Sequence, residues 1–167
     1  MSFLPASRRR LMAAFATLAC LCFLSASLGA AQGTPPNSGP GSAASIPQAA
    51  LIQPEALAHM LQSGDAHKPL ILQVGSHVLY DESHIAGSAY AGPGSQSTGL
   101  QLLHDKVAPL PRNEFIVLYC GCCPWTHCPN IAPAFQELRS MGFTNVKVLY
   151  LSNNFGADWA SKGYPVE

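Results

Sequence analysis

"EFIVLYCGCCPWTHCPNIAPAFQELRSMGF", residues 114–143, joins a strand-like run to a helix-like segment through a loop that holds four cysteines. The run at 114–119 is almost continuously apolar, which is typical of a strand buried on both faces of a parallel sheet. Residues 131–143 place apolar side chains on one helical stripe, and Gly142 closes it. The stretch therefore predicts a strand, a reactive loop and a helix.

The start of this helix follows from its prolines. Pro133 is tolerated only in a first turn, so the helix is expected to begin near Ile131 with Asn130 as its cap. Residues 120–128 then lie between a strand end and a helix N-terminus, where free N–H groups and the helix dipole favour an anion such as a thiolate. The pKa of at least one loop cysteine is therefore expected to be lowered, which would make it reactive at neutral pH.

Strand and helix patterns alternate along the rest of the chain. Helices are predicted at 54–62 and 154–163, and strands at 69–74 and 145–151; residues 83–92 are expected to be irregular apart from a short strand at Ala89 and Tyr90. This order indicates an α/β fold with a mainly parallel central sheet and helices on both faces. Such sheets bind ligands beyond the carboxyl ends of their strands, where Cys120 is expected.

The N-terminal 31 residues have the pattern of an export signal. Three arginines precede an uncharged apolar run at 11–24, and small residues follow around position 30. The run is shorter than the roughly 20 residues of a bilayer span, which favours cleavage, with no membrane span afterwards, over the alternative of an uncleaved anchor. Residues 7–12 also resemble a twin-arginine signal, and both export routes stay open. The expected location is periplasmic or secreted.

Residues 32–48 are rich in Pro, Gly and Ser, which predicts a flexible tether, and 49–167 are expected to form one domain. Without its signal the chain keeps six basic and nine acidic side chains, a net charge of −3. This charge weighs against a nucleic-acid partner. The glycine-rich segment 92–99 is not expected to bind phosphate, because it lacks a lysine and a strand-to-helix setting.

The motifs in order resemble the rhodanese family. "IVLYC" ends in a cysteine, a loop leads to a helix closed by Gly142 and Phe143, and "NVKVLYL" and "ADWASKGYPVE" follow. Upstream, "SHIAGSAY", which contains His84, is similar to the family's His-Ile-Pro-Gly-Ala stretch. The resemblance covers about residues 51–167 and implies a rhodanese-like sheet.

The resemblance also implies a chemistry, that of a sulfurtransferase or persulfide carrier. Cys120 would accept a sulfane sulfur from a small donor such as thiosulfate. It would pass the sulfur to a thiol, to a cyanide-like acceptor or to a partner protein thiol. Backbone amides of 121–123 would stabilise the charged sulfur, and no cofactor would be required.

The sequence departs from the family pattern around the cysteine. The loop is several residues longer than usual, and it lacks the arginine that often follows the nucleophile. Gln73, Val74 and Gly75 stand where Asp and Arg commonly end the earlier strand, and Pro124 and Pro129 remove two amides from the loop. These departures weigh against thiosulfate transfer in its ordinary form.

A second hypothesis is thiol–disulfide exchange, because Cys120 and Cys123 form a C-x-x-C pair in a chain expected to reach an oxidising compartment. One or two disulfides that merely brace the loop are an alternative interpretation. Residues expected to resolve or modulate the reactive sulfur are Gly121, Cys122, Cys123, His127 and Cys128.

A third hypothesis is a soft-metal site. Thiolates suit Cu(I) or Zn, although adjacent cysteines fit poorly around one tetrahedral ion. Supporting roles are expected for His84, in holding loop geometry, and for Trp125, in capping the site or contacting a partner. The metal-ligand candidates are Cys120, Cys122, Cys123, His127 and Cys128.

Overall fold

The computed structural model describes residues 45–64 and 67–167, so the predicted signal and most of the predicted tether lie outside the described residues. One five-stranded sheet has the strand order β1-β5-β4-β2-β3, and every neighbouring pair is parallel. The strands are β1 (Leu51–Ile52), β2 (Leu70–Gln73), β3 (Ala89–Tyr90), β4 (Ile116–Tyr119) and β5 (Val146–Leu149).

Five α-helices connect or follow these strands in the described residues: α1 (Pro54–Gln62), α2 (His77–Glu82), α3 (Ser97–Val107), α4 (Ile131–Ser140) and α5 (Phe155–Asp158). Short 3-10 turns in the described part of the chain include Gln48–Ala50, Trp125–His127 and Ala160–Lys162. Helix α4 begins at Ile131, as its prolines predict. No helix among these is long and apolar enough to cross a bilayer.

Strand β4 lies at the centre of the sheet and divides the core in two. Ile116 and Leu118 pack on one face with residues of α3 and α4, whereas Val117 and Tyr119 pack on the other with residues of α1 and with Trp159. Burial of each such aliphatic side chain stabilises the folded state by about 1.5–3 kcal/mol. The predicted α/β fold, with a parallel sheet covered on both faces, is confirmed.

The C-terminal segment closes the second face. Trp159 is fully buried, and its indole N–H donates to the Pro165 carbonyl at 2.9 Å. Beyond it, the backbones of His84 and Glu167 exchange two hydrogen bonds of 2.8 and 3.0 Å. The predicted helix over 154–163 is shorter than expected, because the backbone leaves helical geometry at Trp159, where φ is −126° and ψ −68°.

Other elements differ from the sequence-based expectation. Helix α3 was not predicted because its serine- and glycine-rich start hides a buried stripe of Gly99, Leu103 and Val107. It also gives segment 92–99 the strand-to-helix setting that was expected to be missing, although the lysine of a phosphate loop is not there. Ile46 is buried against the core, so the packed part of the chain includes a residue from the predicted tether.

Candidate functional site

The four loop cysteines lie between the end of β4 and the start of α4. Cys120 directly follows the central strand and is 6% exposed, and Cys128 is buried to a similar extent. Cys122 and Cys123 are partly exposed, and all four thiols are free. The loop thus has two buried sulfurs near the sheet and two that solvent can reach.

Three of the sulfurs form one cluster. The Sγ atoms of Cys120 and Cys122 are 3.0 Å apart, and those of Cys122 and Cys123 are 3.3 Å apart. Gly121 stands between the first two cysteines with φ +79°, in the left-handed region that glycine adopts without a steric penalty. Its backbone turn brings the side chains of Cys120 and Cys122 together.

The pKa values of Cys120 and Cys122 are shifted in opposite directions. The hydrogen bond that Cys120 gives Cys122, followed by one from Cys128, lowers the pKa of Cys122 far below its ordinary value. The same hydrogen bond to Cys122, then one to Cys128 and burial, raises the pKa of Cys120. The first thiolate of the cluster therefore forms at Cys122. A lowered pKa is expected for at least one loop cysteine, and it is found at Cys122 because Cys120 is the buried donor.

The two other cysteines hold their protons more tightly. Burial, followed by the hydrogen bond to Cys122, raises the pKa of Cys123. At Cys128 the hydrogen bond with Cys120 lowers the pKa, but the bond with Cys122 and burial outweigh it, so the net shift is upward. Of the four loop cysteines, only Cys122 has a lowered pKa.

Backbone amides also affect the pKa values of the loop cysteines. The amides of Asn130 and Ile131, at the start of α4, favour the thiolate of Cys128, and the Cys122 amide favours the thiolate of its own residue. The Cys120 sulfur accepts a hydrogen bond from a side chain.

That side chain is Asn130, which sequence reasoning assigned only as a helix cap. It stands at the cap position but its side chain makes no capping hydrogen bond. Its Nδ2 donates to Cys120 Sγ at 3.3 Å, and its Oδ1 accepts from the Ser95 amide at 3.0 Å. Because an amide N–H can bond only to the oxygen, the Ser95 contact fixes the orientation of Asn130 with its NH₂ toward the sulfur.

Gln73 and Gly75, at the end of β2, hold the backbone of Cys120 from the other side. Gln73 is buried, and its Nε2 donates to the Cys120 carbonyl at 3.2 Å, while its Oε1 accepts from the Gly75 amide at 3.1 Å. A Cβ atom at Gly75 would lie 2.7 Å from the Cys120 carbonyl oxygen and 3.1 Å from its sulfur. Gly75, one of the residues at the position of the family's Asp and Arg, thus permits the backbone of β2 to lie close to Cys120.

A narrow pocket opens beside Cys120. It has room for about one water molecule. Trp125 is one of its lining residues; the Trp125 ring packs against Tyr150, with ring centroids 5.1 Å apart, and the Trp125 amide donates to the Ser152 carbonyl. The pocket is lined by Cys120, Gly121, Cys123, Trp125, Cys128, Ile131, Leu149 and Leu151.

The two candidate histidines lie apart from the sulfur cluster. His127 is exposed, and its Nδ1 is 2.9 Å from the hydroxyl of Thr126. His84 stacks on Tyr80, with its Nδ1 2.8 Å from the Tyr80 carbonyl. Among the described residues, the metal-ligand group that the geometry brings together is Cys120, Cys122 and Cys123, whose sulfurs all lie within 4.8 Å of one another.

Residues 53–153 match the model of the rhodanese-like domain family. None of the curated proteins matches the chain significantly. A crystal structure of the Alr3790 protein from Anabaena sp. is similar at 25% identity and a TM-score of 0.54, over 70% of this chain and 81% of that one. A solution structure of the rhodanese-like domain of that protein has 24% identity and a TM-score of 0.52, over 71% and 78%.

A crystal structure of an anaerobic ergothioneine biosynthesis enzyme from Chlorobium limicola shares the fold at 21% identity and a TM-score of 0.51. The similarity spans 70% of this chain and 27% of that enzyme. These likenesses establish the sheet topology of a rhodanese-like domain.

Proposed function

The chain belongs to the rhodanese-like domain family, and on that premise we propose that it transfers sulfane sulfur through a persulfide on Cys120. The observation that carries the proposal is the position of Cys120: at the end of the central strand, bonded to Asn130, beside a pocket of single-atom size. Parallel sheets place their reacting groups at this edge.

The nucleophile is the thiolate of Cys120. Cys120 Sγ accepts a hydrogen bond from Asn130 Nδ2 at 3.3 Å, and this donor stabilises the negative charge that forms when the thiol loses its proton. Cys122 Sγ lies 3.0 Å from the same sulfur.

The first chemical step is a displacement at sulfur. The Cys120 thiolate attacks the outer sulfur of a donor such as thiosulfate, the S–S bond of the donor breaks, and sulfite leaves with the electron pair. The persulfide formed keeps its outer sulfur in the pocket, whose lining is mostly apolar. The acceptor is a small thiol, a cyanide-like nucleophile or a partner protein thiol.

The setting of this activity is part of the proposal. The basic head and apolar run at the N-terminus indicate export, so the domain works in the periplasm or outside the cell. Its negative charge after signal cleavage fits neither a nucleic-acid partner nor a polyanionic surface. The N-terminal mass of the protein recovered from an exported fraction tests the cleavage.

The test of sulfur transfer is thiocyanate formation from thiosulfate and cyanide, with Cys120→Ser as the variant and Thr126→Ala, an exposed change in the same loop, as the control. We expect the serine variant to lose activity at least 100-fold and the control to keep it. Equal rates in Cys120→Ser and the unmodified chain would place the nucleophile elsewhere.

A second candidate function, binding of a soft metal, is favoured by the three sulfurs within 4.8 Å. Cys120, Cys122 and Cys123 would surround Cu(I) or Zn at about 2.3 Å per bond, and Cys128 would complete the shell. Titration with Cu(I) against a competing chelator tests it. One tightly held ion per chain that blocks alkylation of all three cysteines supports binding; full alkylation in excess metal contradicts it.

A further inference from the structure

Cys120 and Cys122 are already close to bonding distance. Their Sγ atoms are 3.0 Å apart, and a disulfide bond is about 2.05 Å long, so the sulfurs need to approach by about 1 Å. Gly121 provides the turn that makes them face each other. The pair can therefore close without a rearrangement of β4 or α4.

The pocket beside Cys120 does not include Cys122. It is lined by Cys123, Cys128 and apolar side chains that include Leu149 of β5 and Ile131 of α4. Displacement at sulfur proceeds in line, with the entering and leaving atoms on opposite sides of the sulfur attacked. An outer sulfur held in the pocket would leave the inner sulfur open to Cys122 Sγ, 3.0 Å away, and would then be the leaving group.

We infer that Cys122 attacks the inner sulfur of the Cys120 persulfide and expels the outer sulfur as hydrosulfide, so that the domain reduces sulfane sulfur to sulfide. The inference rests on the proposed function, because it starts from that persulfide. Cys122 would then be an acceptor within the protein itself. Hydrosulfide would be a product that sulfur transfer to an external acceptor does not give.

The step balances within the chain. The bond between the inner and outer sulfurs breaks, the outer sulfur leaves with the electron pair and the proton of Cys122, and a Cys120–Cys122 bond forms. With thiosulfate, the two thiols are oxidised to the disulfide while the donor yields sulfite, hydrosulfide and one proton. A further turnover requires a reducing dithiol, for which the partly exposed Cys122 is the point of entry.

The experiment is a single turnover without an acceptor. The full chain is reduced, freed of reductant under anaerobic conditions and mixed with thiosulfate; sulfite and sulfide are measured, and the cysteine peptides are mapped. We expect equimolar sulfite and sulfide, together with a Cys120–Cys122 disulfide. Sulfite with a lasting persulfide and no sulfide would overturn the inference.

Variants separate the two proposals. Cys122→Ser, and Cys122→Ala as a second form, should still gain one sulfur but release sulfide at least tenfold more slowly until dithiothreitol is added. If Cys123→Ser blocks release and Cys122→Ser does not, the assigned thiol is wrong. If neither Cys122 variant gains sulfur although both remain folded, the persulfide itself is refuted, and this inference with it.

Discussion

Replacing Asn130 by aspartate keeps the size of a buried side chain but exchanges its sulfur-facing NH₂ for oxygen. The other oxygen still accepts from the Ser95 amide, so the loop keeps its anchor. The donor 3.3 Å from Cys120 Sγ disappears. A hydrogen bond to a charged group contributes about 1.5–3 kcal/mol. Its loss from the charged sulfur therefore lowers kcat/KM by at least roughly 10-fold and up to about 150-fold.

The aspartate also adds a charge whose effect depends on pH. A carboxylate at the same distance repels the Cys120 thiolate by about 5 kcal/mol at an effective dielectric constant near 20. Burial and this repulsion raise the pKa of the new carboxyl. Below that pKa the protonated carboxyl can donate to sulfur, so the deficit of Asn130→Asp should be largest near pH 8 and smaller toward pH 5.

The assay is the pH profile of thiocyanate formation, with thermal unfolding as a check that the variant is folded. Asn145→Asp, the same change at an exposed position, is the matched control and should follow the unmodified chain. Rates for Asn130→Asp within twofold of the unmodified chain at pH 8 would refute a role for the amide. A folded variant with a uniform deficit at every pH would indicate an effect of shape.

Three further expectations concern the neighbourhood of the site. Gly75→Ala places a Cβ 2.7 Å from the Cys120 carbonyl oxygen and should destabilise the fold by about 1–3 kcal/mol in thermal unfolding; Gly64→Ala, with no atom within 4 Å, should not. Iodoacetamide at pH 5 should modify Cys122 first, because its pKa is lowered; peptide mapping that finds Cys120 first would reverse the assignment of charge. Burial raises the pKa of Tyr119 to about 12, so the stability it contributes is complete below pH 10 and is lost as pH rises toward 12. Tyr119→Phe should flatten this part of the stability profile measured by denaturant unfolding, and an unchanged slope would contradict the link.

The periodicity and composition of the sequence are sufficient to predict the central parallel sheet. The apolar runs of β2, β4 and β5 could be read directly, because strands buried on both faces of a parallel sheet are apolar at nearly every position. Helix α3 could not, since its first turn is rich in serine and glycine and its buried stripe includes Gly99. Packing of the backbone, which glycine permits, compensates there for a weak sequence pattern.

The sequence predicts where the site lies but not which side chains contact each other within it. Four cysteines between a strand and a helix marked the place, yet the distribution of charge among them depends on distances of 3.0 and 3.3 Å that spacing does not determine. Asn130 was hidden because an asparagine before a helix already has an ordinary explanation as a cap. Only its contacts with Ser95 and Cys120 reveal the second use.

The placement of the two tryptophans gives the domain an optical signal of its own. Trp159 is fully buried in one half of the core, whereas Trp125 lines the sulfur pocket and packs against Tyr150. Emission from an indole is quenched by nearby sulfur in a manner that depends on its oxidation state. In a Trp159→Phe background, the fluorescence of Trp125 would follow loading and discharge of the loop in real time, without an added dye.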